Sequence, residues 1–114
     1  MHTETQLEQI KSEISRDIQS ALGRKLHKII LYGSYARGDY NEDSDVDIMV
    51  LADIEESNMH VFRRLANKAA SRISLEHNAL ITISIRNSSL FYYRMKILPF
   101  YQNVINEGVV IYGH

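Results

Sequence analysis

The sequence predicts an α+β fold, a small mixed β-sheet with helices packed on it. Three observations carry this. Apolar residues recur at helical spacing near the start and again in the middle of the chain. Short β-rich runs lie between those segments, and polar glycine-containing stretches separate the runs. The length of 114 residues suits one hydrophobic core, so residues 1–114 are expected to form one domain.

The elements follow in order. Leu7, Ile10, Ile14, Ile18 and Leu22 make one apolar stripe, which predicts a helix from about Thr3 to Leu22 with Gly23 as its stop. Lys28 to Tyr32 reads as a strand ending at Gly33, and its unbroken apolar character predicts that both faces are covered. Gly33 to Ser44 is polar and aperiodic, a loop with room for one helical turn after Ser34. Val46 to Ala52 is a second strand, interrupted only by Asp47. Ser57 to about His77 reads as a helix with Val61, Phe62, Leu65, Ala69 and Ile73 on its apolar side. Ile81, Ile83 and Ile85 alternate with Thr82 and Ser84, the pattern of a half-buried strand. Asn87 to Lys96 is expected to be helical, capped by Ser88 or Ser89. Pro99 suits the first position of a helix running to Asn106, Gly108 ends it, and Val109 to Tyr112 is a last extended segment.

Composition narrows the function. Hydrophobic residues make up 45% and charged residues 24%, an ordinary globular balance. With 13 basic and 14 acidic residues there is no electrostatic case for direct nucleic-acid binding. There are no cysteines, which excludes disulfides and thiolate metal sites. No apolar run is long enough to span a membrane, and Met1 to Gln9 lacks the apolar core of a secretion signal, so a cytoplasmic protein is expected. The five histidines have no metal-ligand spacing.

The chemistry concentrates between Leu31 and Val50. A strand runs into Gly33-Ser34 and then a helical turn, where backbone N–H groups can cradle phosphate oxygens. Gly33 permits close approach of a ligand, and the Ser34 hydroxyl can donate to a phosphate. Arg37 is either a phosphate contact or a solvated loop residue. Tyr35 suits packing or partner contact better than chemistry. Asp45 and Asp47 stand two apart at the start of a strand, so both carboxylates point to one face. Side by side they repel one another, and a divalent cation between them relieves that. Mg²⁺ suits such a pair, because it binds one or two carboxylates together with phosphates and water.

Gly33-Ser34, ten intervening residues and then Asp45-Val46-Asp47 resemble the signature of the DNA-polymerase-β-like nucleotidyltransferases. The flanking Gly33-Ser34-Tyr35-Ala36-Arg37-Gly38 and Ser44-Asp45-Val46-Asp47-Ile48 are similar to its stand-alone branch, the minimal nucleotidyltransferases. Leu98-Pro99-Phe100-Tyr101, Asn106-Glu107-Gly108 and Tyr112 resemble the end of one subgroup. The resemblance implies a polymerase-β palm-like fold, with Gly33 and Ser34 on the triphosphate of ATP and Asp45 and Asp47 as catalytic ligands of Mg²⁺. It implies an antitoxin that transfers AMP from ATP to a tyrosine hydroxyl of a HEPN-domain toxin. Members usually carry a third carboxylate on a later strand. Here Thr82 and Ser84 stand on that face, and Glu76, Asp53 or Asp43 would have to substitute. Slower transfer, or neutralisation of the partner by binding alone, is the alternative expectation.

Overall fold

The computed structural model describes residues 4–41 and 43–113. Helix α1 (Glu4–Leu22) leads through a short 3₁₀ turn at Gly23–Lys25 into strand β1 (Leu26–Tyr32). A one-turn helix α2 (Ser34–Arg37) and a loop precede β2 (Val46–Ala52). A second 3₁₀ turn (Glu56–Asn58), helix α3 (Met59–His77) and strand β3 (Ile81–Asn87) follow. The chain closes with α4 (Ser88–Met95), α5 (Pro99–Glu107) and β4 (Val109–Tyr112). Thr3, the expected first residue of α1, lies outside the described residues.

The four strands form one mixed sheet in the order β3-β2-β1-β4. β1 is antiparallel to both β2 and β4, whereas β2 and β3 are parallel with α3 as the crossover between them. Parallel neighbours need such a connection, and antiparallel β1 and β2 need only the loop that holds α2.

Both faces of the sheet are covered, because β1 and β2 are apolar on both. Ile29, Leu31, Val46, Ile48 and Val50 pack with Ile10, Ile14 and Ile18 of α1 and with Ala66, Ala70 and Ile73 of α3. On the other face Ile30, Met49 and Leu51 pack with Phe91 of α4 and Val104 of α5. The result is three layers: α1 and α3, the sheet, then α4 and α5. No helix among the described residues is long and apolar enough to cross a membrane.

Two sequence expectations change. In α3 the buried side chains are Met59, Ala66, Ala70 and Ile73, while Val61 and Leu65 are exposed. Met59 and Ile73 anchor the two ends of the seam, and Ala66 and Ala70 between them let the helix lie close to its neighbours, so Val61 and Leu65 fall outside it. The cap of α4 is Asn87, not Ser88 or Ser89: its side chain accepts from the Leu90 N–H at 3.0 Å. Asn87 also donates to the Ile54 carbonyl at 2.7 Å, so one amide closes β3, caps α4 and ties down the loop after β2. Pro99 opens α5 and Gly108 ends it as expected.

Candidate active site

The site forms where β1 and β2 end side by side. Tyr32, the last residue of β1, is paired with Asp47 near the start of β2. Beyond Tyr32 the chain turns through Gly33, whose φ of 76° and ψ of −155° suit glycine alone. There is a second reason for glycine. A Cβ at this position would lie 2.5 Å from the Asp47 Oδ2. Glycine therefore lets that carboxylate lie directly against the turn. The Gly33 carbonyl accepts from the N–H groups of Ala36 and Arg37, both at 3.1 Å, which closes the turn of α2. Gly38 then ends it in the left-handed region. Ser34 stands at the first position of α2, beside the cleft mouth, and Tyr35 turns into the core against α1 and α3, stacked on Tyr40 with ring centroids 4.3 Å apart.

Asp47 points to the α4–α5 side of the sheet, since its neighbours Val46 and Ile48 point to the α1–α3 side. Burial raises its carboxyl above the usual range, the nearby Asp45 carboxylate raises it further, and Arg37 pulls it down. Asp45 sits just before β2 and is half-buried. A partly buried carboxylate pressed by a second one is a site that gains from a cation. The donors are hard oxygens, and Asp47 borders a cleft. These residues fit Mg²⁺.

Arg37 crosses the mouth of the cleft. Its Nε bonds the Asp39 Oδ2 at 3.2 Å and its Nη1 lies 3.5 Å from the Glu107 Oε2. The cleft, about 260 Å³, is lined by Tyr32, Gly33, Arg37 and Asp47 from one side and by Phe100, Asn103, Val104 and Glu107 of α5 from the other. Phe100 meets Tyr32 edge to face at 5.8 Å. Gly33, Arg37 and Asp47 thus share one cleft, with Asp45 adjacent to Asp47 and Ser34 opening the turn. Tyr32 and the α5 residues had not been singled out in the sequence. Their signal was there, for Phe100, Asn103 and Glu107 recur at helical spacing on one face of α5.

The position on β3 beside Asp47 is Thr82, in parallel register with it, so the sheet presents a hydroxyl and no acid there. The substitutes named from the sequence do not supply one. Asp53 lies beyond the far end of β2, six residues and about 20 Å along an extended strand from Asp47. The exposed Asp43 has its N–H bonded to the Asn41 side chain within the loop. Glu76 is on α3, bonded to Arg72 at 2.9 Å. It belongs to a separate group in which Glu13, Glu76 and His77 bring their ligand atoms within 4.8 Å of one another. Arg72 already supplies positive charge to Glu13, Asp17 and Glu76 there, so this is an ion-pair network joining α1 to α3.

A glycine turn at the end of β1 thus faces the carboxylates at the start of β2. The nucleotidyltransferase domain family matches residues 7–110, and the chain belongs to that family. Two proteins of Methanocaldococcus jannaschii named as protein adenylyltransferases are similar to it. One is 38% identical over 103 residues, 90% of this chain and 96% of the relative. The other is 32% identical over 100 residues, 88% and 92%. The fold also matches a chain of a toxin–antitoxin complex crystallised with AMP-PNP, with a TM-score of 0.58 and 21% identity over 91% of this chain and 73% of that one. A complex of a tri-AMPylated Shewanella oneidensis HEPN toxin with its MNT antitoxin contains a similar chain, with a TM-score of 0.55 and 19% identity over 94% and 72%. The chain is a nucleotidyltransferase with the mixed four-stranded sheet of that fold.

Proposed function

We propose that this nucleotidyltransferase transfers AMP from ATP to a tyrosine hydroxyl of a partner HEPN toxin and so acts as an antitoxin. The observation that carries the reading is the close approach of the partly buried Asp47 carboxylate to the Gly33 turn at the edge of one cleft, with Asp45 beside it. The likeness to proteins named as protein adenylyltransferases supports the protein acceptor. The similar chain in a complex with a HEPN toxin supports the HEPN partner.

In this reading the Gly33–Ser34 turn binds the triphosphate through backbone N–H groups and the Ser34 hydroxyl. Arg37, at the cleft mouth, neutralises phosphate charge. Asp45 and Asp47 hold Mg²⁺, which when bound offsets charge on the phosphates and on the leaving pyrophosphate. The acceptor oxygen bonds to the α-phosphorus, its proton passes to solvent, and the bond from that phosphorus to the bridging oxygen of pyrophosphate breaks. Positioning and charge neutralisation supply most of the rate of such transfers. A site with two carboxylates and Thr82 in place of a third therefore works, slowly.

Thr82 favours a second reading, a module that silences its partner by occupancy without transfer. Partner inhibition separates the two. Asp45→Asn with Asp47→Asn should abolish inhibition of the HEPN toxin if transfer is the mechanism. Full inhibition by this double variant, still bound to its partner, would establish the binding module instead.

A further inference from the structure

Arg37 poses a problem for the cation site. A flexible guanidinium within electrostatic reach of Asp47 is the natural counter-ion for two crowded carboxylates. If it paired with them it would take the place of the divalent cation. Among the described residues it makes no ion pair with Asp45 or Asp47. Its Nε is taken by Asp39, one residue past the turn at Gly38, and its Nη1 by Glu107, at the C-terminal end of α5. Glu107 is not free to drift. Next to it, Gly108 is pressed so closely between the Val104 carbonyl and the Ile30 side chain of β1 that a Cβ has no room, which pins the end of α5 against the strand leading to the site.

We propose that Glu107 is a positioning residue that, with Asp39, clasps Arg37 across the mouth of the cleft and keeps it off Asp45 and Asp47. The clasp serves both ligands. The acidic pair stays free for the cation, and the guanidinium stays where an incoming triphosphate passes. The inference rests on the reading of Asp45 and Asp47 as the cation pair. It gives a role to an acidic residue of the cleft that is neither on the sheet nor needed as a metal ligand.

Direct binding of Mn²⁺, followed by electron paramagnetic resonance without nucleotide, tests this independently of activity. The proteins are the wild type, Glu107→Gln, Arg37→Met and the double variant, with thermal melts to confirm that each is folded. Glu107→Gln should weaken Mn²⁺ binding roughly two- to fivefold, the range of one exposed ion pair. In the Arg37→Met background the same change should have little effect, because no guanidinium remains to be released. An equal loss in both backgrounds would show that Glu107 acts on the cation itself and would overturn the clasp, as would no loss in either. If the wild type binds Mn²⁺ no better than Asp45→Asn with Asp47→Asn, the cation pair is wrong and the clasp falls with it.

Discussion

Gly33→Ala and Gly38→Ala form a matched pair that isolates what the glycine turn does. Both residues have positive φ, but Gly38 (84°, 6°) is in the left-handed region, where alanine costs about 1 kcal/mol, whereas Gly33 (76°, −155°) is in a region essentially reserved for glycine, where alanine costs roughly 1–3 kcal/mol. They differ in what the new methyl meets. At Gly38 there is nothing within 4 Å, whereas at Gly33 the Asp47 Oδ2 is 2.5 Å away, so the carboxylate must move. For a domain of this size backbone strain alone should lower the melting temperature of Gly38→Ala by roughly 3–6 °C and that of Gly33→Ala by more. Gly33→Ala should in addition lose transfer by about 100-fold or more, since a misplacement of about 1 Å costs that much. Gly38→Ala should retain most of its activity at temperatures where it is folded. Melting curves and initial transfer rates at 20 °C check this. Equal loss of transfer in both variants, or near-normal transfer by Gly33→Ala, would refute the argument that Gly33 exists to make room for Asp47.

Further predictions follow from the burial and charge of particular groups. Burial raises the Asp47 carboxyl, so its ionisation opposes folding: stability falls as pH rises from the unfolded to the folded pKa and stays lower above that. Asp47→Asn should therefore melt slightly higher than the wild type at pH 7 without divalent cation, and should lose the stabilisation that Mg²⁺ gives the wild type. Glu13 behaves in the opposite way. Its hydrogen bond to His77, at 2.5 Å, holds its carboxyl below the ordinary 4.5, with help from Glu76 and Arg72 against the cost of burial. The stabilisation is present above pH 4.5 and lost as pH falls through the depressed value. His77→Gln should accordingly lower the urea midpoint at pH 6, with the difference from wild type shrinking as the pH falls below 4.5. Ile73→Ala, in the seam of α3, should cost about 2–5 kcal/mol in urea unfolding, but Leu65→Ala, on its exposed side, less than about 1 kcal/mol.

The strands and the chemistry-bearing turn were legible because their signals are local. Continuous apolar runs in β1 and β2 mark covered sheet faces, and the spacing of Asp45 and Asp47 predicts carboxylates on one side, although β2 begins only at Val46 and Asp45 stands just before it. Val61 and Leu65 misled because hydrophobicity identifies the residues that could be buried, whereas Ala66 and Ala70 were buried for their small size. Ser88 and Ser89 were plausible caps by residue type. Asn87 won because it ends β3 where its amide reaches both α4 and Ile54. The α5 wall of the cleft lies over fifty residues from Asp47 in the chain. Its helical spacing was readable, but only the packing of Val104 on Ile30, Met49 and Leu51 brings that face over the acidic pair.

Under the proposed function Asp45 and Asp47 carry nucleotidyl transfer to a protein acceptor. The most direct test is to incubate the purified protein with α-³²P-ATP, Mg²⁺ and the HEPN partner, and then locate the label. Label on a tyrosine of the partner, absent without Mg²⁺ and absent with Asp45→Asn and Asp47→Asn, is the result expected. Label that persists in the double variant, or none with a wild-type protein that binds and silences its partner, would contradict the claim.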